Sequence, residues 1–291
     1  MSHPPTLIDI GINLAHDSYD ADREAVIARA RAAGVGRMIV TGSDLDSSRR
    51  ALALARQYPG VLAATAGVHP HHAARLDEAT LAALRPLYRE PQLVAVGECG
   101  LDYFRDLSPR ADQQRAFRLQ LELAIALRRP LFLHQRDAHA DFVRILGDYG
   151  ADLPPAVAHC FTGSLADAEE CLAMGLYIGV TGWICDERRG THLAEVVRRI
   201  PTGRLMLETD GPYLLPRSLK PRPATRRNEP MYLTEVCRAV AAARQESYEA
   251  VAAASTATAA AFFGLAGPAT SDRDGAAARH APTATAATRG A

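Results

Sequence analysis

Apolar residues in this chain gather into short, nearly continuous runs at 7–12, 37–41, 61–66, 93–96, 131–134, 156–159, 176–180 and 205–208. Most of these runs are bounded by Gly, Pro or Asp, the pattern of parallel strands buried on both faces. Between them the apolar spacing becomes helical. Residues 20–33 start at a capping-type Asp20 and stop before Gly34. Residues 108–127 open on Ser108-Pro109, with Pro suited to a first helical turn, and continue with Phe117, Leu121 and Ala124 at helical spacing. A Pro- and Arg-rich loop follows the last run at 212–227, and two more helical stretches occupy 229–244 and 246–263.

Eight strands, each starting roughly 20–40 residues after the last and mostly separated by helices, predict a (β/α)8 TIM barrel, for which about 250 residues is typical. A doubly wound open sheet would need fewer strands and usually a phosphate-binding glycine turn, and neither GxGxxG nor GxxxxGK[ST] occurs. The barrel is expected to take up residues 1–265. The tail at 266–291, poor in large apolar side chains, is expected to be disordered.

Composition adds mainly exclusions. Lys+Arg and Asp+Glu number 33 each, so net charge gives no push toward nucleic acid or membrane, while leaving room for a local basic patch. The single lysine, Lys220, lies in the Pro-rich loop and is the one candidate for Schiff-base chemistry. Five cysteines with no CxxC argue against a disulfide framework and a thiolate zinc site. The N-terminus lacks a signal-peptide pattern, and no run approaches 18 apolar residues. The expectation is a cytoplasmic protein with reduced thiols and no membrane partner, acting as a monomer.

A TIM barrel keeps its functional side chains at the carboxyl ends of its strands. At those ends stand Glu98, His134, His159 and Asp210, after strands four, five, six and eight, with His69 after strand three. Singly, each has a structural explanation: a buried histidine is commonly a hydrogen-bonded core residue, and Asp210 can cap a loop. A carboxylate such as Glu98, flanked by glycines after an apolar strand, is costly to bury unless paired or bound to metal. Four such residues at four strand ends point to a site for Mg2+, Mn2+ or Zn2+, able to activate water and neutralise charge on a phosphoryl or carbonyl oxygen.

Weaker candidates surround this set. In His69-Pro-His-His72, adjacent histidines cannot all face one ion, and His69 alone is a candidate phosphate contact. Arg136 can clamp an anion or form a surface ion pair with Asp137. Glu208 can back the metal ligands or orient Arg217. Arg217, Lys220, Arg222, Arg226 and Arg227 make a cationic loop suited to phosphate or simply to solvent. Trp183 and Tyr213 could stack bases. No GxSxG elbow is present, which disfavours an acyl-enzyme esterase.

Several longer motifs are more specific. Asp9-Ile-Gly-Ile-Asn-Leu, Ala66-Gly-Val-His-Pro-His, Val96-Gly-Glu-Cys-Gly-Leu-Asp102, His159-Cys-Phe-Thr-Gly163, Gly182-Trp-Ile-Cys-Asp-Glu-Arg-Arg189, Glu208-Thr-Asp-Gly-Pro-Tyr-Leu-Leu-Pro216 and Arg226-Arg-Asn-Glu-Pro230 resemble the TatD family of metal-dependent deoxyribonucleases, over about residues 6–264. The likeness is greatest to the branch that gives the family its name. It implies an amidohydrolase-type TIM barrel and a magnesium-dependent exonuclease that removes nucleotides from the 3′ end of single-stranded DNA and RNA. By position it implies Glu98, His134 and His159 as metal ligands, Asp210 as ligand or base, and His69 as a phosphate contact.

Two departures stand out. Much of the wider family carries an HxH pair at strand one, where this chain has Gly11 and Asn13, so one firmly held ion is expected rather than two. Thr258 stands where the family often has Asn, a residue that would support the loop after strand eight. An amidohydrolase or deacylase acting on a small acyl substrate would use the same rim, and a barrel that binds nucleic acid without turnover is a further alternative.

Overall fold

The computed structural model describes residues 6–265, so the tail expected to be disordered lies outside the described residues. Eight parallel strands form one sheet in sequence order: β1 (Leu7–Ile12), β2 (Val35–Val40), β3 (Leu62–Ala66), β4 (Leu93–Asp102), β5 (Leu131–Arg136), β6 (Ala156–Ala158), β7 (Tyr177–Val180) and β8 (Leu205–Leu207). The chain just past β8 closes the ring onto β1: Asp210 N donates to Gly11 O (2.8 Å) and Asn13 N to Gly211 O (2.8 Å). The result is the TIM barrel anticipated from the spacing of the apolar runs.

The outer helices are α1 (Arg23–Ala32), α2 (Leu45–Gln57), α3 (Glu78–Leu84), α4 (Arg110–Leu127), α5 (His139–Gly147), α6 (Leu165–Ala173), α7 (Leu193–Arg199), α8 (Leu233–Arg244) and α9 (Tyr248–Phe262). Side chains start several of them: Asp44 and Ser47 form a reciprocal capping box at α2, Ser164 and Asp167 another at α6, and Ser247 caps α9. Between strands and helices lies one large apolar layer. Within it, Phe117 of α4 and Phe142 of α5 stack with ring centroids 5.6 Å apart, both fully buried. Phe142→Ala should lower unfolding free energy by about 3–5 kcal/mol in chemical denaturation, because the barrel cannot collapse into the void; a loss under about 1 kcal/mol would contradict this packing.

A second cluster fills the barrel interior and its lower mouth, where Phe262 and Phe263 plug the opening against residues such as Ile8 and Val94. Thr258, also on α9, donates to Ala254 O (2.8 Å) and reaches Thr202 O (3.5 Å), in the turn before β8. It therefore supports the entry to β8, not the loop after it.

The sequence expectation fails most clearly at β4, which was expected to end at Val96 and instead runs through Asp102. Against β5, Val96 pairs with Leu131 but Cys99 with Leu133, so Gly97-Glu98 forms a bulge within the strand. A Cβ at Gly97 (φ +133°) would lie 2.1 Å from Phe132 O, so only glycine permits this approach. Glu98 is thus a bulge residue, and His134 likewise lies inside β5. Among the described residues no helix is long and apolar enough to cross a membrane. All five cysteines are free thiols.

Candidate metal centre

Glu98 Oε1 is the point on which three strands converge. His159 Nε2 lies 2.7 Å from it, His134 Nδ1 2.9 Å and His69 Nε2 3.4 Å. One carboxylate oxygen has too few lone pairs for three strong hydrogen bonds. A divalent cation among these groups would draw on neutral imidazoles and on carboxylate charge together, so the donor set fits the metal that the sequence implies. His69, Glu98 and His134 offer ligand atoms all within 4.8 Å of one another. Asp210 shares the same cavity, of about 690 Å³, and Asn13 Nδ2 donates to its Oδ1 at 3.2 Å.

Each group is held from behind. His159 Nδ1 lies 3.3 Å from Glu208 Oε2, and Glu208 Oε1 accepts from Cys160 N. Beyond His134 stands Asp102, whose Oδ2 is 3.5 Å from His134 Nε2 and 2.7 Å from His71 Nε2. Carboxylates commonly orient ligand imidazoles in this way. Two buried glutamines of α4 clamp the backbone: Gln120 bonds both N and O of Val68, next to His69, and Gln113 bonds both N and O of Asp102. The chain before Asp210 is anchored by Asp9, which accepts from Thr209 N (3.0 Å) and Thr209 Oγ1, and by Asn228, which donates to Thr209 O (2.9 Å).

Burial and neighbouring charges together set the protonation states, and for His134 and His159 the carboxylates around them prevail and raise both imidazoles. Burial pushes the Asp210 carboxyl up to about 7, with the charges of Glu98 and Glu208 adding to the effect and that of His159 opposing it. It pulls His69 down to about 4 despite the attraction of Glu98, so His69 is a neutral donor at physiological pH. Burial also opposes ionisation of Glu98, yet the charges that His69 (protonated only in acid) and His159 carry, with hydrogen bonds from His134 and His159, outweigh it and hold Glu98 well below the usual carboxylate range.

The structure brings Glu98, His69, His134, His159, Asp210 and Arg136 to one cavity. Arg217 is not among its lining residues; its guanidinium pairs with Glu187 (2.8 Å) and Asp186 (3.7 Å). Glu208 accordingly serves His159 rather than Arg217, and Arg227 is tied up with Asp22 and Glu229. Arg136 makes no ion pair among the described residues and lies over the Phe104 ring, 4.0 Å from its centroid. Sequence reasoning passed over His71, Asp102, Gln113 and Gln120. Asp102 had a usable signal: a strand running on past Glu98 puts Glu98, Gly100 and Asp102 on one face.

Gly11 also acquires a reason. A Cβ there would meet Glu208 Oε2 at 2.6 Å and Phe132 Cζ at 3.0 Å, so the space a strand-one histidine would need is filled by the carboxylate behind His159. Gly11→Ala should displace Glu208 and weaken metal affinity about 10–100-fold by titration calorimetry; unchanged affinity would show that Glu208 does not support His159.

Buried imidazoles and carboxylates at the upper mouth of a parallel eight-stranded barrel belong to the metal-dependent hydrolases, and this chain is one of them. The family model for TatD-related DNases matches residues 8–264. The 3′-5′ ssDNA/RNA exonuclease TatD of Cronobacter turicensis is 52% identical over 257 residues, which cover 88% of this chain and 97% of that protein. The protein of the same name from Klebsiella pneumoniae is 49% identical over 259 residues, covering 89% and 98%. Among solved structures, YjjV, a TatD homolog from Escherichia coli K12, superposes with a TM-score of 0.81 at 32% identity, covering 89% of this chain and 98% of that one. The chain belongs to the TatD-related DNase family.

Proposed function

We propose that this protein is a magnesium-dependent 3′-5′ exonuclease that hydrolyses terminal phosphodiester bonds of single-stranded DNA and RNA. The observation that carries this is the meeting of three imidazoles and Glu98 beside Asp210, in a cavity walled by Arg136, which has no carboxylate partner among the described residues. The names borne by the relatives in Cronobacter and Klebsiella support the polarity and the substrate.

Glu98, His134 and His159 would hold the ion. Bound there, a divalent cation supplies an activated water and neutralises charge on a phosphoryl oxygen. Asp210 takes the proton of the attacking water, a role that suits a carboxyl raised to about 7. His69 donates to the phosphate as a neutral imidazole, and Arg136 supplies the positive charge. Arg217, its charge already met by Glu187, is not needed for phosphate binding. With Gly11 and Asn13 on β1, one ion is held firmly; Mg2+ is the expected metal, and the mixed N/O donors also suit Mn2+ or Zn2+.

Oligonucleotides labelled at the 3′ or 5′ end, single- and double-stranded, test this together. In Mg2+ the 3′ label of a single strand should be released at once, while the 5′ label moves down a ladder of shortening products. Loss of the 5′ label first, equal attack on blunt duplex, or no dependence on added metal would each overturn the corresponding part.

A further inference from the structure

Three large apolar side chains stand out as exposed: Phe104, Leu107 and Tyr213, at 55%, 66% and 53%. All three lie at the catalytic mouth or directly beside it. Exposed apolar surface confined to one rim marks a place where something binds. Next to the metal cavity, and sharing Arg136, Thr162, Trp183 and Arg189 with it, is a second cavity of about 340 Å³ that Phe104 also lines. Of its lining residues, only Arg136 has a part in the chemistry described so far.

Its walls are alike in construction. The Arg136 guanidinium covers the Phe104 ring at 4.0 Å, and Arg189 covers the Trp183 ring at 4.5 Å. Nucleobases stack on aromatic rings and on guanidinium planes alike. The volume is at the low end of ligand pockets, room for one nucleoside but not for a base pair. The two walls differ in charge. Arg189 is paired with Asp186 at 3.3 Å, whereas Arg136 makes no ion pair among the described residues and faces both cavities. Asp137, an exposed lining residue whose carboxylate has no hydrogen bond or ion pair among the described residues, can accept from a base amino group.

We propose that this second cavity is a base-stacking subsite: it takes the base of the nucleotide adjacent to the scissile phosphate between the Arg136/Phe104 and Arg189/Trp183 layers, and Arg136 binds the intervening phosphate. This rests on the exonuclease function proposed above and deepens it, because a base can enter only from an unpaired strand. Selection of single-stranded ends then follows from the cavity, not from the metal centre. Since stacking is energetically similar for all bases, little sequence preference is expected.

Trp183 is the only tryptophan of the chain and reports on its own subsite. Metal-loaded protein is titrated with a single-stranded oligonucleotide protected by phosphorothioate linkages, following Trp183 emission. Saturable quenching is expected. A series of oligonucleotides with one abasic residue at each of the last four positions should lose about tenfold or more in affinity at a single position next to the terminal linkage. In Phe104→Ala that same abasic substitution should cost at least threefold less than in the wild type, because one of the two walls is gone, and Phe104→Tyr should restore the difference. Phe104 is more than half exposed, so these replacements leave the core intact. No Trp183 quenching, or an abasic penalty identical in wild type and Phe104→Ala, would overturn the subsite even if 3′ nucleotide release is confirmed. Absence of metal-dependent 3′ release by the wild type would instead overturn the exonuclease function.

Discussion

Glu98→Gln should lower metal-dependent nucleotide release at least a thousand-fold and reduce metal binding below detection by calorimetry. The substitution keeps the shape of the side chain and removes its charge. It acts at the atom where three imidazole nitrogens lie within 3.4 Å. An amide cannot replace the lone pairs and negative charge of the carboxylate, and half of its polar surface would present N–H groups where acceptors are needed. Loss of roughly 4 kcal/mol of charge stabilisation in the transition state corresponds to about a thousand-fold in rate. Thermal unfolding of the variant without metal controls for folding. A folded Glu98→Gln protein working within tenfold of the wild-type rate would remove Glu98 from the metal centre.

Asp210→Asn should cost about 10²–10⁴ in kcat and erase the acid limb of the pH profile. Burial raises the wild-type carboxyl to about 7, so in the metal-free protein it is protonated below that pH and cannot act as a base. Activity should therefore fall as pH falls below neutrality. A bound cation favours the ionised form, which places the apparent midpoint of the loaded enzyme at or below 7. The same shift has a thermodynamic consequence. Between pH 4 and 7 the folded, metal-free protein keeps a proton that the unfolded chain has released, so this group makes stability decline with rising pH across that window. Metal binding expels the proton, so affinity should rise through the same range. An Asp210→Asn variant with the wild-type pH profile would exclude Asp210 as the base.

That these side chains meet at one mouth was legible in the chain because a parallel strand buried on both faces leaves few places for a charged residue. His134, His159 and Asp210 interrupt or end apolar runs, and Glu98 sits between glycines where nothing in the core needs a carboxylate. Arg217 shows the opposite case. Its place in a cationic loop carries no information about Glu187, 30 residues away in sequence, which meets its charge. For Arg136 the sequence left an anion clamp and a surface pair with Asp137 both open; its guanidinium lies on Phe104 and makes no ion pair among the described residues.

By itself the sequence determined the barrel, the order of its strands and the residue types gathered at its upper mouth, because periodicity and burial are properties of local composition. Only the tertiary structure decided which of those residues share one oxygen atom, that β4 bulges at Gly97-Glu98 to present that oxygen, and that Glu208 fills the space beside Gly11. It also decided that His71, Asp102 and the two clamping glutamines stand behind the site. The physical reason is register. A carboxylate meets an imidazole through pairing between strands dozens of residues apart, and a shift of one residue turns the side chain to the other face. No local pattern encodes that pairing; the close approach of β4 to β5 does.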